Sequence, residues 1–162
     1  MHLTKTCKDI MVPVSDYPQI KQEAHIAEAI EILKNFFHEK DGTWYGFQSL
    51  LVLGKRNVPT GILTLRGLLN AFKIQDITEH LLKTDPTGLF FLPSMSDQFH
   101  IRVKDLMRPF GFAAVQEDDY IFKAVKLMIT HKVNSIPVMS GKTPVGIVRT
   151  IDTFWIIGEL LD

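Results

Sequence analysis

An internal repeat constrains the fold of this chain more than any other feature, because the same elements must be built twice. Three blocks recur in the same order: residues 8–13 with 104–109, 25–33 with 120–128, and 58–64 with 143–149. Between the second and third blocks the first copy is about ten residues longer. The extra residues fall within 34–48, where Asp41-Gly42 and Gly46 are typical of the tip of a loop.

Each copy predicts the same elements. Ile26, Ala29, Ile30 and Leu33 have the spacing of one apolar helix face, and the second copy repeats that face with Ile121, Ala124, Val125, Met128 and Ile129. Asp118 or Asp119 is placed to cap the second of these helices. Two short apolar runs then predict a β-hairpin in each copy: 50–53 with 61–65, and 136–139 with 145–150. A closing helix follows, from residue 68 towards 82 and from Thr153 to Leu161.

The predicted fold class is therefore mixed α/β (α+β), with two β-α-β-β-α repeats. The first repeat spans residues 1–82 and the second spans 104–162. Residues 83–103, interrupted by Pro86, Gly88 and Pro93, form the connector. One copy is small for an independent domain, so we expect the two copies to pack face to face and share a core.

Composition excludes several classes of protein. Lysine and arginine number 18 and so do the acidic residues, so the chain lacks the basic excess of a general nucleic-acid binder. One cysteine, Cys7, excludes intramolecular disulfides and multi-cysteine zinc sites. The histidines lack metal-ligand spacing, so no metal site is predicted. With no secretory signal or membrane-spanning segment, we expect a cytoplasmic protein.

The sequence contains no recognisable enzyme motif. Gly141-Lys142-Thr143 imitates the end of a phosphate-binding P-loop, but Ile136 stands where the first glycine is needed. No Ser-His-Asp or Cys-His arrangement has a recognisable flanking signature, so we predict that the chain is not an enzyme.

The repeated motifs resemble a known family. Residues 104–109 (KDLMRP), 128–139 (MITHKVNSIPVM) and 146–152 (GIVRTID) resemble three successive motifs of cystathionine-beta-synthase (CBS) domains. Two such copies in one chain resemble the paired unit called a Bateman module. The resemblance implies repeats packed with pseudo-two-fold symmetry and a regulatory role.

The resemblance also implies a class of ligand. In the family, AMP, ADP, ATP or S-adenosylmethionine binds in clefts between the repeats. The acid of the G-h-h-T-x-x-D signature (h, apolar) holds the ribose hydroxyls, and its Thr or Ser and nearby basic residues face the phosphate. Backbone groups before the Pro-Val strand and apolar side chains enclose the adenine. No other cofactor is implied.

The signature is divided between the two copies. The second copy keeps the acid, Asp152, but has Arg149 in place of the hydroxyl residue. The first copy keeps the hydroxyl, Thr64, but has Gly67 in place of the acid. We therefore expect one competent cleft around Asp152, with these ligand-binding residues: Asp152, Arg149, Thr150, Ser135, Asn134, Ile136, Pro137, Arg108 and Thr64.

Structural roles compete with these assignments. Asp152 could instead cap the helix expected from Thr153, and Arg149 could pair with Asp152 and so occupy the ribose acceptor. Thr64 could be present for its β propensity alone.

The leading hypothesis is a stand-alone regulatory module that binds an adenosyl ligand and acts on an unknown protein partner in trans. The apolar stretch 154–157 (FWII) fits a homodimer interface. The alternative is a ligand-free interaction or scaffolding module with degenerate nucleotide sites.

Overall fold

The computed structural model describes residues 4–71, 73 and 101–161. These residues belong to two compact units, of which one comprises Met1–Tyr17 with Phe110–Asp162 and the other comprises Pro18–Pro109. We call them the C-terminal unit and the central unit. Most of the predicted connector, 83–103, and the predicted helix extension towards residue 82 lie outside the described residues.

Helices are interspersed among short runs of strands along the chain. In chain order the helices are α1 (Cys7–Ile10), α2 (Ile26–Phe36), α3 (from residue 65, described to residue 71), α4 (Val103–Leu106), α5 (Ile121–His131) and α6 (Thr150–Leu161). The strands are β1 (Val12–Pro13), β2 (Gln19–Lys21), β3 (His38–Lys40), β4 (Thr43–Tyr45), β5 (Ser49–Leu53), β6 (Pro59–Thr64), β7 (Arg108–Pro109), β8 (Val115–Gln116), β9 (Ser135–Ser140) and β10 (Thr143–Arg149).

The two units repeat one plan. The central unit has a sheet in the order β2-β5-β6-β7, and the C-terminal unit has one in the order β8-β9-β10-β1. In each sheet the first two strands are parallel and the remaining pairs are antiparallel. This confirms the predicted fold class.

The amphipathic helices cover these sheets as predicted. Ile26, Ala29 and Leu33 of α2 are buried in the central core with Leu50, Val52 and Leu63 of the hairpin strands. In the C-terminal core, Ala124 and Met128 of α5 pack with buried residues of β8, β9 and β10. Ile129, expected on the buried face, is 72% exposed. It follows the buried Met128 by one residue, and a helix turns by about 100° per residue, so Ile129 lies away from that face.

Residues 8–13 and 104–109, which we call the leading motifs, are exchanged between the copies. Pro13 of β1 pairs with Gly146, whereas Pro109 of β7 pairs with Gly61. A Cβ atom on Gly61 would lie 2.7 Å from the Arg108 carbonyl oxygen, and one on Gly146 would lie 2.9 Å from that of Val12. Glycine is needed because the leading strands approach so closely. The predicted boundaries describe the sequence copies, whereas each compact unit combines parts of both.

The extra residues of the first copy form a separate two-stranded sheet of β3 and β4. Asp41 and Gly42 connect the strands with φ of 54° and 76°. Such left-handed conformations are typical of tight hairpin turns, in which Asp-Gly is a favoured pair.

Candidate functional site

The candidate site is the junction at which β10 ends and α6 begins. Arg149, the last residue of β10, lies opposite Ser135 of β9. The next residue, Thr150, donates its backbone N–H to the Asn134 carbonyl oxygen at 2.8 Å, and its hydroxyl donates to the same oxygen at 3.2 Å. These bonds hold the start of α6 against the start of β9.

Helix α6 begins three residues earlier than predicted. It starts at Thr150, so Asp152 lies within the first turn rather than in the capping position before it. Its carboxylate nevertheless reaches back and accepts the backbone N–H of Arg149 at 3.0 Å. A carboxylate in the first turn is favourable because it satisfies a free backbone donor and faces the positive end of the helix dipole.

Asp152 also forms a two-pronged ion pair with Arg149. Arg149 Nε donates to Asp152 Oδ2 at 2.9 Å, and its Nη2 donates to Oδ1 at 2.7 Å. The two side chains are 30% and 15% exposed respectively, so both charges are partly removed from water. The hydrogen bond to Asp152 raises the pKa of the Arg149 guanidinium above its usual value. Of the two structural alternatives for Asp152, internal pairing occurs, whereas the predicted cap of a helix from Thr153 was wrong: the helix starts at Thr150, and Asp152 bonds the Arg149 N–H from inside the first turn.

The other second-copy candidates lie around this pair. Asn134 and Thr150 are exposed, whereas Ser135, Ile136 and Pro137 are buried on β9. The exposed groups can reach a ligand through their side chains. The buried strand supplies a rigid apolar support beside them.

The two remaining candidates belong to the central unit. Arg108 lies on β7 opposite Ile62. Thr64 ends β6, and its hydroxyl accepts the backbone N–H of Gly67 at 3.0 Å. That bond gives Thr64 a structural role at the start of α3. The structure thus assembles seven of the nine predicted residues in the C-terminal unit and assigns the other two to the central unit.

The first-copy position of the missing acid is closely packed. A Cβ atom on Gly67 would lie 3.0 Å from the Leu106 carbonyl oxygen and 3.4 Å from Thr64 Oγ1. The close approach of α4 therefore leaves little room for a side chain at the position where the signature has its carboxylate.

One neighbour of the site was missed from the sequence. Tyr17 is only 3% exposed, belongs to the C-terminal unit and, after the hydrogen bond to Asp152, adds to the raised pKa of the Arg149 guanidinium. Tyr17 follows the first leading motif in the chain but belongs to the C-terminal unit. The available sequence signal was the equivalence of the two leading motifs. Because they match each other, either motif, with the residues that follow it, could pair with Gly146.

Two other features of the described residues bear on function. No helix among them is long and apolar enough to cross a bilayer. Within residues 4–71, 73 and 101–161, no three His, Cys, Asp or Glu side chains gather into a candidate metal site.

The duplicated sheets and the β10–α6 junction define a paired module with a candidate ligand site in one copy. The sequence model of the CBS domain matches residues 7–74 and 103–154. The chain therefore belongs to the CBS domain family and carries two copies. No curated protein matches its sequence.

Solved structures share the fold at low sequence identity. CBSX2 in complex with AMP has a TM-score of 0.64 at 19% identity, covering 97% of this chain and 98% of that chain. The CBS domain of the bacterial CNNM/CorC family Mg²⁺ transporter in complex with ATP has a TM-score of 0.66 at 14% identity, covering 96% and 89%. A hemolysin-like CBS protein of Oenococcus oeni has a TM-score of 0.62 at 13% identity, covering 95% and 90%.

Proposed function

We propose that this CBS pair is a regulatory module that binds an adenine nucleotide or another adenosyl ligand beside Asp152 and signals to a protein partner. The observation that carries the proposal is the junction itself. It presents a carboxylate and a guanidinium side by side at the N-terminus of α6, with the exposed Thr150 and Asn134 next to them.

The chemistry of the junction suits such a ligand. A carboxylate accepts the two hydroxyl protons of a ribose cis-diol. A guanidinium presents a planar set of donors that matches phosphate oxygens, and the first turn of a helix favours negative charge. The exposed Asn134, two residues before Ile136, offers an amide side chain to an adenine ring. The complexes of structural neighbours with AMP and with ATP support the proposal.

The test is calorimetric titration of AMP, ATP and S-adenosylmethionine into wild type and Asp152→Ala. We expect the substitution to weaken binding by about tenfold or more, because ribose loses a charged acceptor. Asp119→Ala is the matched control: Asp119 accepts the Gln116 N–H at 2.8 Å and pairs with Lys123 at 2.8 Å, so it has the same kind of bonds away from the junction. Equal affinity of wild type and Asp152→Ala would show that the ligand does not use this carboxylate.

The ion pair favours a second candidate function, a scaffolding module without a nucleotide. Arg149 already occupies the acceptor that ribose would use. Thermal unfolding separates the two candidates, because a ligand at a hundred times its dissociation constant adds about 2.7 kcal/mol to the free energy of unfolding. Unchanged melting with a panel of adenine nucleotides and S-adenosylmethionine favours the scaffold.

The partner and the location proposed from the sequence are a second copy of the chain, a regulated protein and the cytoplasm. Phe154 and Trp155 of α6 are 62% and 66% exposed, which supports pairing through this helix. The predictions of a regulatory, non-enzymatic role rest on family membership.

A further inference from the structure

The carboxylate of Asp152 is largely satisfied by its own chain. It accepts three hydrogen bonds: one from the Arg149 backbone N–H and two from the Arg149 guanidinium. A carboxylate offers about four lone-pair sites, and a ribose cis-diol needs two of them. At least one bond from Arg149 must therefore break before Asp152 can hold both hydroxyls.

The guanidinium is the partner that yields. The backbone N–H is fixed at the end of β10, where Arg149 pairs with Ser135, whereas the side chain can rotate away. Once it gives up one or both of its bonds, Arg149 is a partly buried cation that shares or loses its carboxylate. Such a charge is costly unless another anion replaces the first. A phosphate group, like a carboxylate, offers two oxygens that accept a bidentate pair of hydrogen bonds from a guanidinium.

Resting on the proposed function, we propose that the Arg149–Asp152 ion pair is a latch that opens for phosphorylated nucleosides and stays closed to neutral ones. A phosphorylated ligand gives Arg149 a new anion while ribose takes over Asp152. A neutral nucleoside takes over Asp152 but supplies no new anion for Arg149. Arg149 is thus a specificity-determining residue, because it disfavours neutral nucleosides as well as favouring phosphorylated ones.

The first copy shows how the latch can be removed. Thr64 is aligned with Arg149, and it ends β6 as Arg149 ends β10. Threonine is therefore accommodated at this place in the repeat, and it cannot form an ion pair. Arg149→Thr removes the latch and leaves Asp152 in place with its backbone bond.

The test measures the affinities of AMP and adenosine for wild type and Arg149→Thr by calorimetry. We expect wild type to prefer AMP by about tenfold or more. In Arg149→Thr, adenosine should bind more tightly than it does to wild type, by about threefold to tenfold, because Asp152 is free beforehand. AMP should bind more weakly, because its phosphate has lost the guanidinium.

Lys123→Thr is the matched control. Lys123 Nζ bonds Asp119 at 2.8 Å, and Asp119 also accepts a backbone N–H three residues earlier, from Gln116. Removing this cation should leave both affinities unchanged. Arg149→Met, which keeps an unbranched apolar stem without the guanidinium donors, should reproduce Arg149→Thr and replaces it if the threonine variant melts early.

The tighter binding of adenosine is the decisive result. If AMP binding weakens in Arg149→Thr and adenosine binding does not improve, Arg149 is a phosphate contact only and the latch is wrong, while the proposed function stands. If neither compound binds wild type or any variant, the proposed function is wrong and the latch fails with it.

Discussion

At the scale of single residues, Gly61 is a position that packing closes to any side chain. The backbone of β7 passes so close that a Cβ atom would lie 2.7 Å from the Arg108 carbonyl oxygen. Both atoms belong to paired strands, so neither can move without loss of ladder hydrogen bonds. Gly158, in the exposed part of α6, has open space around it.

We therefore predict opposite effects of the same substitution at these two glycines. Gly61→Ala should lower the free energy of unfolding by about 1–3 kcal/mol, because the strands must separate. Gly158→Ala should raise it by about 0.5–1 kcal/mol, because alanine loses less backbone freedom in a helix. Urea denaturation of both variants measures this, and a Gly61→Ala protein as stable as wild type would contradict the close approach of β7.

Arg149 and Asp152 also belong to this scale. The sequence offered ribose binding, helix capping and internal pairing as separate roles for them. In the structure the Asp152 carboxylate holds both the backbone N–H and the guanidinium of Arg149, and under the proposed function a ligand has to compete with the guanidinium bonds. The calorimetric predictions above follow from that competition.

At the scale of elements, the end of α5 carries backbone strain. Lys132 caps the helix with φ of 53° and ψ of 47°, in the left-handed region. A lysine there pays a steric cost that glycine avoids, and helices commonly end with glycine in this conformation. The sequence has lysine rather than glycine at this point, so the sharp end of α5 was not predictable from it.

We predict that Lys132→Gly raises the free energy of unfolding by about 0.5–1 kcal/mol, because the strain disappears. Lys126→Gly is the control, since Lys126 is an exposed residue in the middle of the same helix. It should lower the free energy by about 1 kcal/mol. Equal losses in the two variants, measured by urea denaturation, would rule out a left-handed end.

At the scale of the whole molecule, the zero formal net charge removes any long-range attraction for an anion. Nucleotide binding must then depend on local groups, of which Arg149 is the one held beside Asp152. Under the proposed function, the state of the Arg149–Asp152 ion pair then decides whether the site offers a cation to the ligand.

The exposed aromatic residues of α6 lead to a prediction about assembly. Phe154 and Trp155 lie with ring centroids 6.1 Å apart and are mostly exposed. We predict that the wild-type chain is a dimer by light scattering and that Phe154→Ser with Trp155→Ser yields a monomer, because the apolar contact area is lost. Val58→Ser, at a residue 50% exposed before β6, should leave the mass unchanged. A monomeric wild type would overturn this prediction.

The sequence by itself determined the elements and their duplication. Periodic apolar residues predicted α2 and α5, short apolar runs with turn residues predicted the hairpins, and matched motifs predicted two CBS copies. These are local signals, because each depends on residues that are close together in the chain. The same reasoning named Asp152 and Arg149 as a possible pair.

Only the tertiary structure decided which parts of the repeats pack together. Each leading motif pairs with the signature glycine of the other copy, and two equivalent motifs facing two equivalent glycines cannot be assigned from sequence. It also decided that α6 starts at Thr150, which turns Asp152 back onto Arg149. The first outcome depends on contacts between segments that are distant in the chain, and the second depends on competition between hydrogen bonds. The free energies of both are set only when the chain is folded.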